Sequence, residues 1–400
     1  MLTVAAAMRW RPAARWWSSY VGNGAREGVP DAEPTSGLVT KILADELLLR
    51  AFSGTSGFWA HPTRVDRRVR DEVSRGLEFY SDKGWIDDPA SYHRVPEPLV
   101  APDLAPTWSF PRCEHMSFES GYEPMEGEPG RRRWVGYRDN RTAHAWVMRH
   151  ADPSRPWIVA IHGYGMGRPA ADLGAIHASY LHRKLGLNVL GYVMPLHGPR
   201  RVGSGYGSEL FTGGVANLIH GEAQAMWDLR RIISWIRSQG ATRIAAHGLS
   251  LGGYTTALLA TLEPELSCAI AGIPASDFVD LFRRHVPAEE SAESRSVERF
   301  WEDTRRLLRV VSPLALPARI PRSRRYVFAA VADRLAPPGA AHALWEHWER
   351  PQIEWYQGTH VSFIIEPGVR AFVDTALADS GMTEHRSERG WLPGFISSRA

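Results

Sequence analysis

The sequence predicts an α/β protein built on a mostly parallel sheet, and three observations carry this. Short strand-like segments recur from the middle of the chain onward, at residues 157–161, 187–193, 244–246, 267–273, 325–332 and 352–356, and several of them, 157–161 above all, are continuous apolar runs. Runs with no polar face fit strands covered on both sides. Stretches of helical periodicity separate them, at 173–185, 216–238, 254–261, 340–348 and 368–378, and such alternation is the mark of βαβ units. Finally, several runs end directly in glycine, serine, aspartate or histidine. In parallel sheets the loops at the carboxyl edge form the sites.

The 400 residues, 44% hydrophobic and 23% charged, are ordinary for a globular protein and long enough for two or three domains or one elaborated domain. The formal charge of +3 gives no reason to expect a nucleic-acid partner. The basic residues are nearly all Arg, with Lys only at Lys41, Lys83 and Lys184. Of the two cysteines, Cys268 lies in an apolar run and reads as a buried thiol, and Cys113 lies in a loop. No run of 18 apolar residues exists to cross a membrane. Residues 1–8 are apolar, but Arg9, Arg11 and Arg15 follow them, the reverse of a secretory signal. Trp10, Trp16 and Trp17 among these arginines leave two readings: an interfacial helix in weak peripheral contact with a membrane, or a helix packed on the body. The missing signal and low cysteine count together point to a cytoplasmic location.

In chain order, residues 1–110 form an N-terminal helical and irregular extension. A polar linker at 22–37 leads to a helix at 38–52, with Leu38, Ile42, Leu47, Leu48 and Leu49 as its apolar positions. A second helix is expected at 69–80, then a proline-rich extended stretch at 96–111. Trp59, Trp85 and Trp108 read as core or packing residues. The catalytic domain spans 111–380. Alternating segments at 116–122 and 142–148 read as half-buried strands flanking a charged loop at 123–133. After the strand at 267–273 the alternation breaks. Residues 274–323, rich in Arg and Glu, read as a lid insertion with helices near 277–285 and 297–311, from which Phe300 and Trp301 reach the pocket. Residues 381–400 form a flexible tail.

The stretch Gly248-Leu249-Ser250-Leu251-Gly252 follows a buried run and precedes a helix. That is the context of a G-x-S-x-G nucleophile elbow, whose sharp turn exposes the serine and needs neighbours with little side chain. A serine hydroxyl is a weak nucleophile until an imidazole takes its proton, and the imidazole needs a carboxylate to fix its tautomer. Asp333 follows the strand at 325–332 and His360 lies in the loop after the next one, so Ser250, Asp333 and His360 are the catalytic candidates among 16 histidines and many acids. Asp333 also reads as a helix N-cap. The backbone N–H groups of Leu251 and Tyr164, the latter in His162-Gly163-Tyr164-Gly165, are the candidate oxyanion donors. His162, Gly163 and His197 are pocket candidates, though His162 and His247 also read as structural. Arg200 and Arg201, after Pro195-Leu196-His197-Gly198, read better as a solvated basic loop than as an anion site.

With these motifs and Ala332-Asp333-Arg334-Leu335-Ala336-Pro337 and Gly358-Thr359-His360, the chain resembles the α/β-hydrolase superfamily over residues 112–377. The resemblance implies about eight mostly parallel strands, helices on both faces, a lid between residues 273 and 325, and no cofactor or metal. The expected function is a serine hydrolase (carboxylesterase-like) acting on a small-molecule ester or acyl substrate through an acyl-enzyme. An acyltransferase on the same three residues, and a hydrolase-like scaffold that binds a ligand or membrane without turnover, are the rival readings. The fold does not choose the substrate.

Overall fold

A computed structural model describes residues 27–56, 67–203, 205–285 and 295–384. Residues 1–26 with their tryptophans, Trp59, the middle of the insertion and the tail from residue 385 lie outside this description. Two helices, α1 (Ser36–Ser56) and α2 (Arg67–Asp82), precede the sheet. The strands are β1 (Asp103–Pro106), β2 (Glu114–Glu119), β3 (Thr142–Met148), β4 (Trp157–Ile161), β5 (Asn188–Val193), β6 (Ile244–Leu249), β7 (Cys268–Gly272), β8 (Arg325–Ala330) and β9 (Gln352–Tyr356). They form one nine-stranded sheet in the order β1-β2-β3-β5-β4-β6-β7-β8-β9. From β1 to β5 neighbours pair antiparallel, and from β5 through β4 to β9 they pair parallel.

This is the α/β-hydrolase fold with one strand more than the eight expected. The extra strand β1 comes from the proline-rich stretch assigned to the extension, so the sheet begins before residue 111. It is four residues long and flanked by prolines, which confines it to an edge and weakens its sequence signal. Next to it, Trp108 is almost wholly exposed and does not pack, unlike buried Trp85, whose ring meets Tyr80 and Tyr92 edge-on.

Alternation along the central strands divides the core in two. Trp157, Val159 and Ile161 of β4 face one side with Leu229, Ile232 and Ile236 of helix α7 (Val215–Ser238). Ile158 and Ala160 face the other with Val373 and Leu377 of helix α12 (Pro367–Asp379). The period of two puts neighbouring residues on opposite faces, and both faces are covered. The stretch read as one helix at 173–185 is two, α4 (Pro169–Ala175) and α5 (Ala178–Arg183), broken where His177 takes a φ of 52°. Between β2 and β3 lies the short helix α3 (Arg131–Gly136), and between α5 and α7 the short helix α6 (Glu209–Thr212). Helix α8 (Leu251–Leu259) follows the Ser250 turn, and α11 (Pro338–His347) joins β8 to β9.

The insertion supplies α9 (Phe278–His285) and α10 (Arg295–Leu308). Phe300 and Trp301 are buried in the larger core, where Arg70 of α2 lies 5.3 Å over the Phe300 ring. Their burial follows from the docking of α10 on α2. Cys113 and Cys268 are both buried free thiols. No helix among the described residues is long and apolar enough to cross a membrane.

Candidate active site

The sheet's chain order reverses at β4, which lies between β5 and β6. Crevices beyond the carboxyl ends of strands at such a point are where α/β sheets bind ligands. Ser250 sits there, directly after β6. Its φ of 56° and ψ of −112° put a non-glycine residue in a strained backbone region. Hydrogen bonds hold that conformation: Ser250 N–H donates to Gly272 O at 2.9 Å, and Tyr254 N–H to Ser250 O at 3.0 Å. The glycines are dictated by space. A Cβ at Gly248 would collide with Gly252 O, and one at Gly252 with Ile161 O at the end of β4.

The structure brings together three of the side chains singled out from the sequence. The Ser250 hydroxyl lies 3.0 Å from His360 Nε2, and His360 Nδ1 lies 2.7 Å from Asp333 Oδ2. With Nδ1–H donating to the carboxylate, Nε2 is left as the acceptor facing the serine. Ser250 is half-buried; His360 and Asp333 are buried. Asp333 is not the N-cap of α11, which is Pro337; its Oδ1 accepts from Leu335 N–H and Ala336 N–H at 2.9 and 2.8 Å, tying down the turn before that helix. The His360 loop is fixed by Tyr356 Oη–H donating to Thr359 O and Thr359 N–H donating to Ser362 Oγ, both at 2.9 Å. Burial works to lower the His360 pKa. The charge and hydrogen bond of Asp333, with the charge of Asp45, outweigh it and leave the imidazole above its ordinary value.

Gly163 lies against the elbow: a Cβ there would sit 3.6 Å from Ser250 Cβ and 3.4 Å from Leu249 O. The Tyr164 and Leu251 backbones thus flank Ser250 in the chain segments after β4 and β6. His162 and His197 are both buried with pKa values lowered by that burial, His162 to about 4. His162 Nδ1–H donates to Gly163 O at 2.7 Å, and Met194 N–H donates to His162 Nε2 at 3.1 Å, joining the ends of β4 and β5. The His197 ring stands edge-on to Tyr164, with centroids 5.6 Å apart, and supports it from beneath. His247 is likewise buried, beside Phe328.

The basic loop is the clearest correction. Arg200 is not solvated but fully buried. It pairs with Asp228 Oδ2 at 2.9 Å and donates to Tyr192 Oη, Asn140 Oδ1, Asn140 O and Val193 O. A guanidinium can be buried only with such a full set of acceptors. Sequence reading also missed the Tyr164–Phe211–Phe278–Phe282 ring cluster, with successive centroids 5.0, 5.8 and 6.2 Å apart. It links the Gly163 loop, α6 and α9 into an aromatic wall. The Phe278 ring also lies against Tyr254 of α8, tilted by 40° with centroids 4.2 Å apart. A concavity of about 930 Å³ lies elsewhere, between α2 and residues 126–133, lined mainly by charged side chains such as Glu78, Asp82 and Arg132.

Two proteins of Mycobacterium tuberculosis match nearly the whole chain. They are the uncharacterized protein MT2702 of strain CDC 1551 / Oshkosh, 39% identical, and the uncharacterized protein Rv2627c of strain ATCC 25618 / H37Rv, 38% identical. Each match spans 374 residues, covering 93% of this chain and 89% of the relative. The chain belongs to their family. No family model matches it. Among solved structures it is similar to acetyl xylan esterase 1 from Thermoanaerobacterium sp. JW/SL YS485, at 16% identity and TM-score 0.47, over 75% of this chain and 93% of that one. It is also similar to an acetyl xylan esterase from Paenibacillus sp. R4, at 16% identity and TM-score 0.45, over 78% and 96%.

Proposed function

We propose that the protein is a serine hydrolase that cleaves a carboxylic ester through an acyl-enzyme. The observation that carries this reading is the continuous contact from the Ser250 hydroxyl through the His360 imidazole to the Asp333 carboxylate, with the serine on a strained strand-to-helix turn. In this reading Ser250 Oγ attacks the ester carbonyl as His360 Nε2 takes its proton. Asp333 keeps the imidazole in the required tautomer and stabilises the imidazolium. The N–H groups of Leu251 and Tyr164 hold the oxyanion. His360 then gives its proton to the departing alcohol, and water repeats the sequence to free the acid. The aromatic wall supports an apolar acyl group beside Ser250.

Labelling with a fluorophosphonate probe, together with hydrolysis of p-nitrophenyl esters of increasing chain length, tests the proposal. Labelling mapped to Ser250 and lost in Ser250→Ala is the expected result. Ester hydrolysis should fall by on the order of a million-fold in Ser250→Ala and by about 10⁴-fold in Asp333→Asn. Equal hydrolysis by wild type and Ser250→Ala would sink it. An alcohol acceptor added to the same assay separates hydrolysis from acyl transfer: diversion of the acyl group to the alcohol at the expense of water makes the enzyme an acyltransferase.

A further inference from the structure

Helix α1 lies outside the basic fold, yet it docks on the two loops that carry Asp333 and His360. Leu38 and Ile42 bury against Val331 and Ala332, just before Asp333. Lys41 pairs with Glu366 at 2.5 Å and donates to Gln357 O at 2.9 Å. Glu46 pairs with Arg334. One turn beyond Ile42, on the same face, stands Asp45. It is fully buried. Its Oδ1 accepts from Val361 N–H, the residue after His360, at 3.2 Å, and the Thr359 side chain also lies against the carboxylate. A carboxylate set in an apolar stripe and buried costs stability, and here its hydrogen-bond partners belong to the His360 loop.

The geometry points to Asp45 as a positioning residue of the site: it clamps the His360 loop through the Val361 N–H and adds a second negative charge behind the imidazole. The inference rests on the serine-hydrolase reading above. In that chemistry the imidazole becomes an imidazolium as it takes the Ser250 proton, and a nearby carboxylate stabilises that charge. The charged and titratable groups around Asp45 are Asp333 and Arg334 on one loop, His360 on the other, Tyr356 at the end of β9, Glu366 before α12, and Lys41 and Glu46 on α1 itself. Burial, then repulsion from Asp333, pushes the Asp45 carboxyl up to about 6, while His360 and the Val361 and Thr359 contacts pull it down. The second charge is therefore present at neutral pH and is lost as the solution becomes mildly acidic.

The test compares full-length wild type with Asp45→Asn, since asparagine keeps an oxygen for Val361 N–H and removes only the charge. For hydrolysis of p-nitrophenyl acetate, the acid limb of kcat/KM should move to lower pH by roughly half to one unit, because the imidazolium has lost a stabilising neighbour. The same lost coupling should lower kcat by about three- to tenfold with KM unchanged, because it acts only where the imidazolium forms. A folded Asp45→Asn protein with wild-type kcat and an unmoved acid limb overturns the proposal, whatever its melting temperature. If Asp45→Asn does not fold, or wild type hydrolyses no ester, the readout is the ¹⁵N-histidine NMR titration of wild type. His360 should then show two inflections, its own and a second near pH 6 from the carboxyl behind it; a single inflection overturns the proposal. Two inflections without ester hydrolysis support the link between Asp45 and His360 and sink the hydrolase reading alone.

Discussion

Ser250 sits where few side chains would be tolerated, and its glycine neighbours show the cost of that placement. Substituting Gly252→Ala would drive a Cβ into Ile161 O, a backbone atom that cannot swing aside. The expected result is loss of both stability and fluorophosphonate labelling, measured by thermal melting and probe uptake; a variant that melts and labels as wild type would refute the close-approach account. Glu222 presents a different residue-scale problem. It is fully buried, its only hydrogen-bond donor among the described residues is the Thr255 hydroxyl at 3.0 Å, and burial pushes its pKa up to about 8. Folded Glu222 therefore keeps its proton at neutral pH, whereas unfolded Glu222 loses it above about pH 4.3. The unfolded state then binds fewer protons, so this group makes the fold less stable as pH rises from about 4 to about 8, with no further change above that. Glu222→Gln keeps the hydrogen bond and removes the titration. Its stability relative to wild type should rise from about pH 5 to about pH 8 in urea denaturation, and a constant difference across that range would contradict the assignment.

At the scale of elements, the Arg200–Asp228 pair fastens the loop after β5 to α7 beneath the His162–Gly167 loop. Breaking such a pair from one side leaves an uncompensated buried charge. Arg200→Met should cost about 3–5 kcal/mol, and the double variant Arg200→Met/Asp228→Leu should recover much of it. Equal losses in the single and double variants, read by denaturant unfolding, would show that packing and not charge is at stake. The central strands were legible in the sequence because burial on both faces makes them continuously apolar; β4, WIVAI and buried throughout, falls where its run places it. Ser250, Asp333 and His360 were legible because each follows such a run. Arg200 was not, because an arginine after a strand reads as solvated unless its acceptors, distant in sequence, are known. Asp45 left a faint signal: the spacing Leu38, Ile42, Asp45 puts a carboxylate on the face that the helix buries. The aromatic wall left none, since its rings come from three separate segments.

Across the whole molecule, the two large cores belong to the sheet, while α1 is held by a satellite cluster of Leu38, Ile42, Val331 and Ala332 and by ion pairs. Among the described residues of α1 the buried apolar contacts are few, and few such contacts mean a low cost of local opening. In rising urea, the proposed ester hydrolysis should therefore be lost before the far-ultraviolet circular dichroism of the sheet and its helices, because α1 releases the His360 loop first. Coincident transitions would show instead that α1 melts with the body.

The contact between Val361 and Asp45 bridges 316 residues of chain. A ribosome adding about 5–20 residues per second needs on the order of 15–60 seconds to make that intervening stretch. Throughout that interval α1 has emerged while the loops that receive it do not yet exist. Its apolar face, with a carboxylate set in it, must wait until residues 331–361 have been made. The hydrogen bond to Asp45 closes only after residue 361 has emerged, so a ribosome-bound fragment ending before residue 360 would have the elbow serine but neither His360 nor its clamp.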